Sequence, residues 1–241
     1  MSVVSVSKLT KVFGTGHTAV KAVDDVNLKV EAGDIILIMG PSGSGKTTLL
    51  SMIGSLMRPS NGRVKIEERD ITKLSSNQLA DLRLKSFGFI FQSFNLLSAL
   101  TATQNVMVPL VAARVSKKPA IIQANRQLRK FGLGQRLNNL PRDLSGGEKQ
   151  RVAITRAMAN NPKLILADEP TANLDSKTGM EVMRQICETA CVEKRAVIIV
   201  SHDQRLKSVA KRVITIEDGR LTNEEKGQHD KICTMRRPKH G

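Results

Sequence analysis

Gly40-Pro-Ser-Gly-Ser-Gly-Lys-Thr47-Thr48 is the stretch that decides the fold of this 241-residue chain. It satisfies the G-x-x-x-x-G-K-[ST] pattern of a phosphate-binding P-loop. Its three glycines permit a tight backbone ring whose N–H groups point inward, where bulky side chains would block a phosphate. The apolar run 34–39 precedes the loop and the segment 47–54 follows it with helical character. The pattern therefore predicts a buried strand, a phosphate loop and a helix whose N-terminus faces an anion.

The loop residues differ in the contacts that they can make with a nucleotide. Lys46 has the reach to contact the terminal phosphates, and the Thr47 hydroxyl is a candidate ligand for Mg²⁺. The loop therefore predicts an ATP-type site with Mg²⁺. Its predicted binding residues are Gly40, Ser42, Gly43, Ser44, Gly45, Lys46, Thr47 and Thr48.

A second apolar run, Lys163-Leu-Ile-Leu-Ala-Asp168-Glu169, ends in two adjacent carboxylates. Such a run is typical of a buried parallel strand, and ligands bind at the carboxyl ends of such strands. Asp168 would hold Mg²⁺, directly or through water, and Glu169 would orient the attacking water. Two acids at a strand end are common in solvated turns, but behind a P-loop they favour phosphoanhydride hydrolysis, which needs positioning and charge stabilisation.

The segment Leu144-Ser-Gly-Gly-Glu148-Lys-Gln-Arg151 resembles the signature sequence of ATP-binding cassette (ABC) ATPases. The resemblance spans residues 1–222. Within the family, the segments 88–97 and 100–110 are similar to the lipoprotein-releasing and macrolide- or peptide-exporting branch (LolD/MacB-like), with the FtsE type close by. Further positions that match in order are Phe13, Gln92, Asn173-Leu-Asp175 and His202.

The resemblance implies a role for three of these residues. Phe13 would stack on adenine, Gln92 would ligate Mg²⁺, and His202 would donate to the γ-phosphate beside the catalytic Glu169, with Lys46 as the third catalytic group. Each residue also has an ordinary structural reading, as a packed strand aromatic, a solvated amide and a structural strand-end histidine.

The signature implies a partner, because Ser145 and Gly147 would form an anion site that faces the ATP of the opposite subunit. We expected both residues to precede a helix over 148–159. The chain carries one P-loop and one signature. Two copies facing head to tail would therefore enclose two ATP molecules in a homodimer.

Alternation of strand-like and helical segments predicts an α/β protein. The resemblance implies a P-loop ABC ATPase fold over 1–222, with a mainly parallel core in 1–92 and 144–222 and an antiparallel N-terminal β-subdomain. It also implies an inserted helical subdomain at about 93–143, where 103–111 and 120–131 have helical character. The basic tail, 223–241, is expected to be disordered or a short extension.

The formal net charge of +16 is unevenly distributed. No acidic residue lies between Asp81 and Asp143, whereas ten lysines and arginines do. This excess indicates attraction to anionic lipid or to an acidic partner, and a simply solvated helix face is the alternative. Nucleic acid is not expected, because Trp and Tyr are missing and no long coiled-coil insertion or second cassette is present.

No run approaches the roughly 18 apolar residues of a spanning helix, and residues 1–12 lack a signal-peptide pattern. We expect the three cysteines to be reduced thiols, without a zinc pattern. The resemblance implies an ATPase subunit at the cytoplasmic face of the membrane that drives a separately encoded permease in export or extraction. The alternatives are an FtsE-like regulatory ATPase that acts without transport and a soluble nucleic-acid-linked ATPase.

Overall fold

The computed structural model describes residues 2–229, which form two sheets with helices packed around them. The smaller sheet has four strands in the order β2-β1-β4-β5 and is antiparallel. Its strands are β1 (Ser2–Phe13), β2 (Val20–Glu31), β4 (Asn61–Ile66) and β5 (Arg69–Asp70). The expected antiparallel N-terminal sheet is therefore confirmed.

The larger sheet has six strands in the order β10-β9-β3-β8-β7-β6. All neighbouring strands in it run parallel except β9 and β10, which pair antiparallel. The mainly parallel core is thus confirmed as well. Its strands are β3 (Ile35–Met39), β6 (Phe87–Ile90), β7 (Leu164–Asp168), β8 (Ala196–Val200), β9 (Arg212–Glu217) and β10 (Arg220–Lys226).

Six α-helices lie in the described residues, together with three short 3₁₀ helices at Gly16–Thr18, Pro141–Asp143 and Gln204–Ser208. None of these helices has the length and apolar content needed to cross a bilayer. The α-helices are α1 (Lys46–Ile53), α2 (Ser76–Ser86), α3 (Ala102–Ala112), α4 (Lys117–Lys130), α5 (Gly146–Ala157) and α6 (Ser176–Val192).

The central strands are apolar throughout because both faces of the large sheet are covered. In β3, Ile36 and Ile38 belong to the cluster shared with the small sheet and α1, whereas Ile35, Leu37 and Met39 belong to the cluster beneath α5 and α6. This arrangement fixes β3, β7 and β8 side by side, and their carboxyl ends reach the same edge of the sheet. The residues that follow these three strands are therefore brought together.

Residues 93–143 contain α3 and α4, which match the two expected helical segments to within a few residues. The helices share their own apolar cluster with Leu144 and Val152. Pro109 lies inside α3 rather than ending it, and Pro119 lies in the first turn of α4, a position that tolerates proline.

The expectation of a disordered tail from residue 223 onward is wrong for residues 223–229. Strand β10 continues to Lys226 and pairs with β9. The next residues are held by backbone hydrogen bonds, and His229 is buried. The cause is pairing with β9, which holds this polar strand at the edge of the sheet although almost none of its residues is buried. The part of the tail expectation that concerns 230–241 lies outside the described residues.

Candidate active site

The P-loop joins β3 to α1 and is a close-packed turn that two of its glycines make possible. Gly45 has a φ of 98°, and a Cβ there would lie 2.1 Å from the Ala22 carbonyl oxygen. A Cβ on Gly40 would lie 2.2 Å from the carbonyl oxygen of Ile216. The first N–H groups of α1 have no acceptor within the helix, so the loop presents donors to an anion.

Two buried polar groups of the loop fit a phosphate. The Lys46 ammonium donates to the carbonyl oxygens of Gly40 and Pro41 at 2.9 and 2.7 Å, and the residue is only 8% exposed. The Ser44 hydroxyl is buried without a hydrogen-bond partner among the described residues. A cation and an unused hydroxyl at one loop suit a ligand rich in anionic oxygens. Thr48 is half-buried in the first turn of α1 and Ser42 is exposed.

The pair proposed for the metal is assembled across the sheet. The Thr47 hydroxyl donates to Asp168 Oδ1 at 3.0 Å, which joins the start of α1 to the end of β7. Burial raises the pKa of the Asp168 carboxyl, the nearby charge of Glu169 raises it further, and Thr47 and Lys46 oppose the shift. Hydroxyl and carboxylate oxygens are the donors that Mg²⁺ prefers, and a cation would relieve the cost of the buried charge.

Glu169 is held by two neighbours that follow β8. Ser201 Oγ donates to Glu169 Oε2 at 2.8 Å, and His202 Nδ1 lies 2.9 Å from Glu169 Oε1. Because a carboxylate only accepts, Nδ1 carries the proton and Nε2 is left for a ligand. Glu169 itself has a φ of 44°, and its N–H donates to the Val200 carbonyl at 2.9 Å. Strained backbone of this kind persists where the surroundings fix it.

Ser201 is a functional residue that the sequence reasoning missed. It is fully buried, and its hydroxyl also accepts from the Asp203 N–H at 3.2 Å. The only sequence signal for this residue is its position directly before His202. A lone serine in this position does not reveal its partner, because Glu169 is 32 residues earlier.

The Asn173 side chain ties the Gln92 carbonyl to this edge, and Phe13 lies at the end of β1 in the small sheet. Asn173 Nδ2 donates to the Gln92 carbonyl at 2.8 Å, which ties the segment after β6 to the segment after β7. No hydrogen bond joins the Gln92 side chain to Thr47 or Asp168 within residues 2–229. Phe13 ends β1 with 42% of its surface exposed, and the Lys11 ammonium lies over its ring, 5.2 Å from the centroid.

The signature forms the start of α5, which begins at Gly146 rather than at Glu148 as expected. Ser145 caps it: Ser145 Oγ accepts from the Glu148 N–H, and Glu148 Oε2 accepts from the Ser145 N–H at 2.8 Å. That N–H, followed by Arg136, lowers the pKa of Glu148. Gly147 therefore lies in the first turn, where a Cβ would approach Thr178 to 2.4 Å.

Ser145 is exposed, and no hydrogen bond in the described part of the chain joins the signature turn to the P-loop. The structure thus brings Lys46, Thr47, Asp168, Glu169 and His202 to one edge of the sheet and leaves the signature turn outside that hydrogen-bonded group. Both are N-terminal ends of helices that present unpaired N–H groups.

Comparison with known proteins gives a consistent result. The family model described as ABC transporter matches residues 23–172. The macrolide export ATP-binding/permease protein MacB of Aggregatibacter actinomycetemcomitans is 42% identical over 227 residues, which are 93% of this chain and 35% of that protein. The uncharacterized ABC transporter ATP-binding protein MJ1508 of Methanocaldococcus jannaschii is 44% identical over 211 residues, covering 88% of this chain and 94% of the other.

Among solved structures, the ATP-binding cassette MJ0796, a dimer in a post-hydrolysis state bound to ADP and Pi, matches with a TM-score of 0.87 and 39% identity. The match covers 92% of this chain and 98% of that one. This chain spans only about a third of the length of the MacB relatives.

Proposed function

The chain is an ATP-binding cassette of the ABC transporter family, and from that premise we propose that it hydrolyses ATP in a head-to-tail dimer that drives a membrane permease. The observation that supports this proposal best is the assembly of Lys46, Thr47, Asp168, Glu169 and His202 at one sheet edge. The known roles of such groups in phosphoryl transfer require that arrangement.

ATP would lie along the P-loop, with adenine on the exposed Phe13 ring and the phosphates on the N–H groups of α1. Lys46 would exchange its two carbonyl acceptors for phosphate oxygens. Thr47 and Asp168 would hold Mg²⁺, joined by Gln92 when its segment moves inward. The ion would neutralise charge on the phosphates.

Glu169 would accept a proton from the attacking water, because its carboxylate is held from both sides by Ser201 and His202. The exposed Nε2 of His202 would donate to the γ-phosphate when the ring carries both protons. Lys46 would stabilise the charge that develops on the transferred group.

The signature turn supports a dimer, since it exposes Ser145 and unpaired N–H groups that its own P-loop does not contact through hydrogen bonds. In a head-to-tail pair this turn would cover the γ-phosphate bound by the partner. The dimeric state of the solved cassette at 39% identity favours the same assembly.

The Glu169→Gln variant tests hydrolysis and dimerisation together. We expect ATP binding to persist, hydrolysis to fall by at least about 100-fold, and a dimer to accumulate with ATP and Mg²⁺ but not with ADP. Light scattering and phosphate release give the two readouts. Glu181→Gln, on the exposed face of α6, is the matched control and should behave like the parent. A Glu169→Gln chain that stays monomeric with saturating ATP contradicts the dimer.

We place the permease contact in an apolar groove of about 500 Å³ between α2, β6 and α3. Phe89 and Phe91 stack at its base with ring centroids 5.8 Å apart, and Leu97 and Val108 remain 50% and 40% exposed at its rim. An apolar helix segment of the permease fits this groove. Phe91 lines this groove and directly precedes Gln92, so a permease helix bound in the groove would alter the position of Gln92 at the ATP site.

A paired substitution tests the groove. Leu97→Asp with Val108→Asp should abolish capture of the permease from solubilised membranes and leave the basal ATPase rate unchanged. Val192→Asp is the control, because Val192 is 84% exposed on α6 outside the groove. Equal capture by the paired variant and the control would exclude the groove.

Anionic lipid is a second proposed partner, and α4 supplies the surface. Ile122 is 69% exposed, and Lys118, Arg126 and Arg129 lie at helical spacing on its side of α4. These cations form no ion pair within residues 2–229. An exposed apolar residue among cations is typical of a helix that lies at a membrane surface, where each cation contributes about 1 kcal/mol. This contact would hold the cassette at the cytoplasmic face of the membrane.

Vesicle sedimentation tests the lipid contact. Reversing the three α4 cations to glutamate should remove binding to vesicles with anionic lipid, and the parent should bind neutral vesicles weakly at any salt concentration. The control reverses three exposed lysines elsewhere, Lys8, Lys73 and Lys194. Equal losses in both triple variants would mean that net charge alone is responsible.

Export is the transport direction that we propose, since the relatives with a stated activity are named as macrolide exporters. In those relatives the ATP-binding part is joined to a permease. The cargo would be recognised by the permease. Transport assays in reconstituted vesicles, with the parent chain and with the Glu169→Gln variant, measure whether ATP hydrolysis drives export.

A further inference from the structure

The outer face of the small sheet carries a basic depression that takes no part in the nucleotide site or in the proposed permease and lipid contacts. Its volume is about 710 Å³, and it lies over the strands β1, β2 and β4. On the inner face of these strands, Val6, Leu28 and Val64 belong to the apolar core. Since side chains alternate along a strand, the residues between these apolar ones point outward and line the depression.

Strand β1 lies between β2 and β4 and contributes small side chains to this face. Ser5 is paired with Lys29 of β2 on one side and with Lys65 of β4 on the other. Ser7 is paired with Arg63 of β4. Because neighbouring strands are about 4.8 Å apart, the two flanking strands stand roughly 10 Å from each other. These five residues form a serine trough, with hydroxyls on its floor and cations on its walls.

A β-bulge in β1 bends this face. The pairing of β1 with β2 shifts register after Val6, and its pairing with β4 shifts after Ser7. Lys8 has a φ of 47°, and its N–H donates to Asn27 Oδ1 at 2.9 Å. A Cβ on Gly62 would lie 2.2 Å from the Lys8 carbonyl oxygen, so glycine lets β4 approach the bulge. Bulges bend a strand and increase its twist, so the backbone itself shapes the depression.

The cations of the serine trough are largely uncompensated. Arg63 and Lys65 form no ion pair within residues 2–229. Asp70, which is paired with Lys65 in β5, accepts hydrogen bonds within its own turn. Lys29 contacts Glu31 at 3.0 Å, but both side chains are exposed, so the pair contributes little and can exchange. The trough therefore attracts an anion.

The lining of the depression decides which anion fits. Among its described lining residues Glu68 is the only acid, and none is aromatic or a large apolar residue. Bases therefore have no stacking platform here, and an apolar helix has no contact surface. A width of roughly 10 Å between the flanking strands admits one polypeptide chain but no nucleic-acid duplex, whose major groove alone is about 12 Å wide. Carboxylates accept from both ammonium and hydroxyl groups.

We propose that the serine trough binds an extended acidic segment of a partner polypeptide. Its carboxylates would accept hydrogen bonds from the cations on the walls and from the two serine hydroxyls on the floor. This surface lies outside residues 81–143, where the sequence concentrates basic residues without acidic ones. It also shares no lining residue with the proposed permease groove, so both partners could bind one cassette.

An oligoglutamate peptide with a fluorescent label is the probe, and its anisotropy reports binding to the full chain. We expect saturable binding that weakens with salt. The trough variant combines Lys29→Gln, Arg63→Gln and Lys65→Gln. It should bind the peptide at least about tenfold more weakly than the parent. The control removes the same charge from α4, at Lys118, Arg126 and Arg129, and should bind like the parent. Equal losses in both variants would assign binding to net charge and overturn the proposal.

A second pair of variants changes the shape of the trough without changing its charge. Ser5→Leu with Ser7→Leu fills the floor and should weaken peptide binding, whereas Ser5→Thr with Ser7→Thr keeps both hydroxyls and should bind like the parent. Melting temperatures check that both variants are folded. Parent-like affinity in the leucine variant would show that the peptide does not lie on the floor, and would contradict the proposal.

The unaltered chain provides a measurement that does not depend on a variant's folding. The peptide should slow acylation of Lys29 and Lys65 by a succinimidyl ester severalfold, as read by peptide mass spectrometry, and should leave Lys118 unaffected. Equal rates with and without the peptide would refute the proposal. Duplex DNA or anionic vesicles that protect the same two lysines at a lower concentration of charge would overturn it in favour of that polyanion.

Discussion

At the residue scale, the carboxylate of Glu169 is the most tightly arranged group of the site. Its two oxygens have separate partners, Ser201 on one side and His202 on the other, and its backbone is left-handed, with a φ of 44°. Such an arrangement fixes the direction in which a proton is accepted. In the proposed mechanism, the buried serine would therefore position the carboxylate, and the exposed histidine would contact phosphate.

Ser201→Ala should lower the maximal rate of ATP hydrolysis by about 10-fold or more, because a hydrogen bond to a charged group contributes roughly 1.5–3 kcal/mol. The affinity for ATP should not change, since Ser201 is not expected to touch the nucleotide. Ser201→Thr keeps the hydroxyl and should restore most of the rate. A Thr variant as slow as the Ala variant would show that the volume of the side chain matters and the hydrogen bond does not.

Asp168→Asn should raise the melting temperature of the nucleotide-free chain at neutral pH while abolishing hydrolysis. Burial raises the pKa of Asp168, so its charged form opposes folding, and asparagine keeps the oxygen that accepts from Thr47. A gain of ~1 kcal/mol would appear as about 2–4 °C for a chain of this size. Differential scanning calorimetry measures it.

Asp203→Asn should change the melting temperature in the opposite direction, because the charged form of Asp203 stabilises the folded chain. Its hydrogen bonds with Arg205 hold the pKa of Asp203 below the ordinary value, so the carboxylate stabilises the folded chain above the pKa of unfolded aspartate. This stability is lost as pH falls through the lowered pKa, and the variant should melt below the parent at neutral pH. The effects of both substitutions should shrink as the pH approaches the point where both aspartates are protonated. Shifts of equal sign in the two variants would contradict this account.

At the element scale, the helices and strands that could be predicted were those marked by a pattern within their own few residues. β3 and β7 are short apolar runs beside chemistry-bearing residues, and α1 follows a loop with a strong motif, so these elements matched the prediction closely. The start of α5 was placed two residues late, because the capping box of Ser145 with Glu148 includes the glycines in the first turn. β10 was missed because its polar residues gain their stability from pairing with β9 rather than from burial.

Two substitutions at Ser145 separate its role in α5 from its proposed role in the dimer. Ser145→Ala removes the cap and should cost about 1 kcal/mol of stability. Ser145→Asp keeps a cap and suits the helix dipole, so it should melt near the parent temperature, yet its charge would repel the partner's γ-phosphate. In the Glu169→Gln background, both variants should fail to dimerise on ATP. Normal dimerisation of the Asp variant would exclude this turn from the interface.

At the scale of the whole molecule, β10 and residues 227–229 belong to the folded cassette. Glu224 pairs with Arg212, and Glu225 with Lys207, so the strand joins β9 and the 3₁₀ helix that follows His202. The family resemblance ended at residue 222, and the pairing beyond it depends on contacts that no local pattern carries. Sequence reasoning therefore predicted the architecture and the residues that meet at the ends of β3, β7 and β8, and it placed the end of the folded part too early.

Truncation tests this boundary. A chain that ends at Thr222 should melt several degrees below a chain that ends at His229, because the shorter chain loses half of a hydrogen-bonded strand and the backbone hydrogen bonds of residues 227–229. Equal melting temperatures of the two truncated chains would restore the boundary at 222.

The order of strands in the large sheet has a consequence for biosynthesis. β3 pairs with β8 and β9, whose first residues follow it by more than 150 positions, so its five apolar residues have no neighbours in that sheet while the chain is being translated. At about 5–20 residues per second, roughly 10–30 s pass between the synthesis of β3 and the synthesis of β8. We therefore expect chaperones that recognise exposed apolar segments to bind this strand until β8 and β9 have been synthesised.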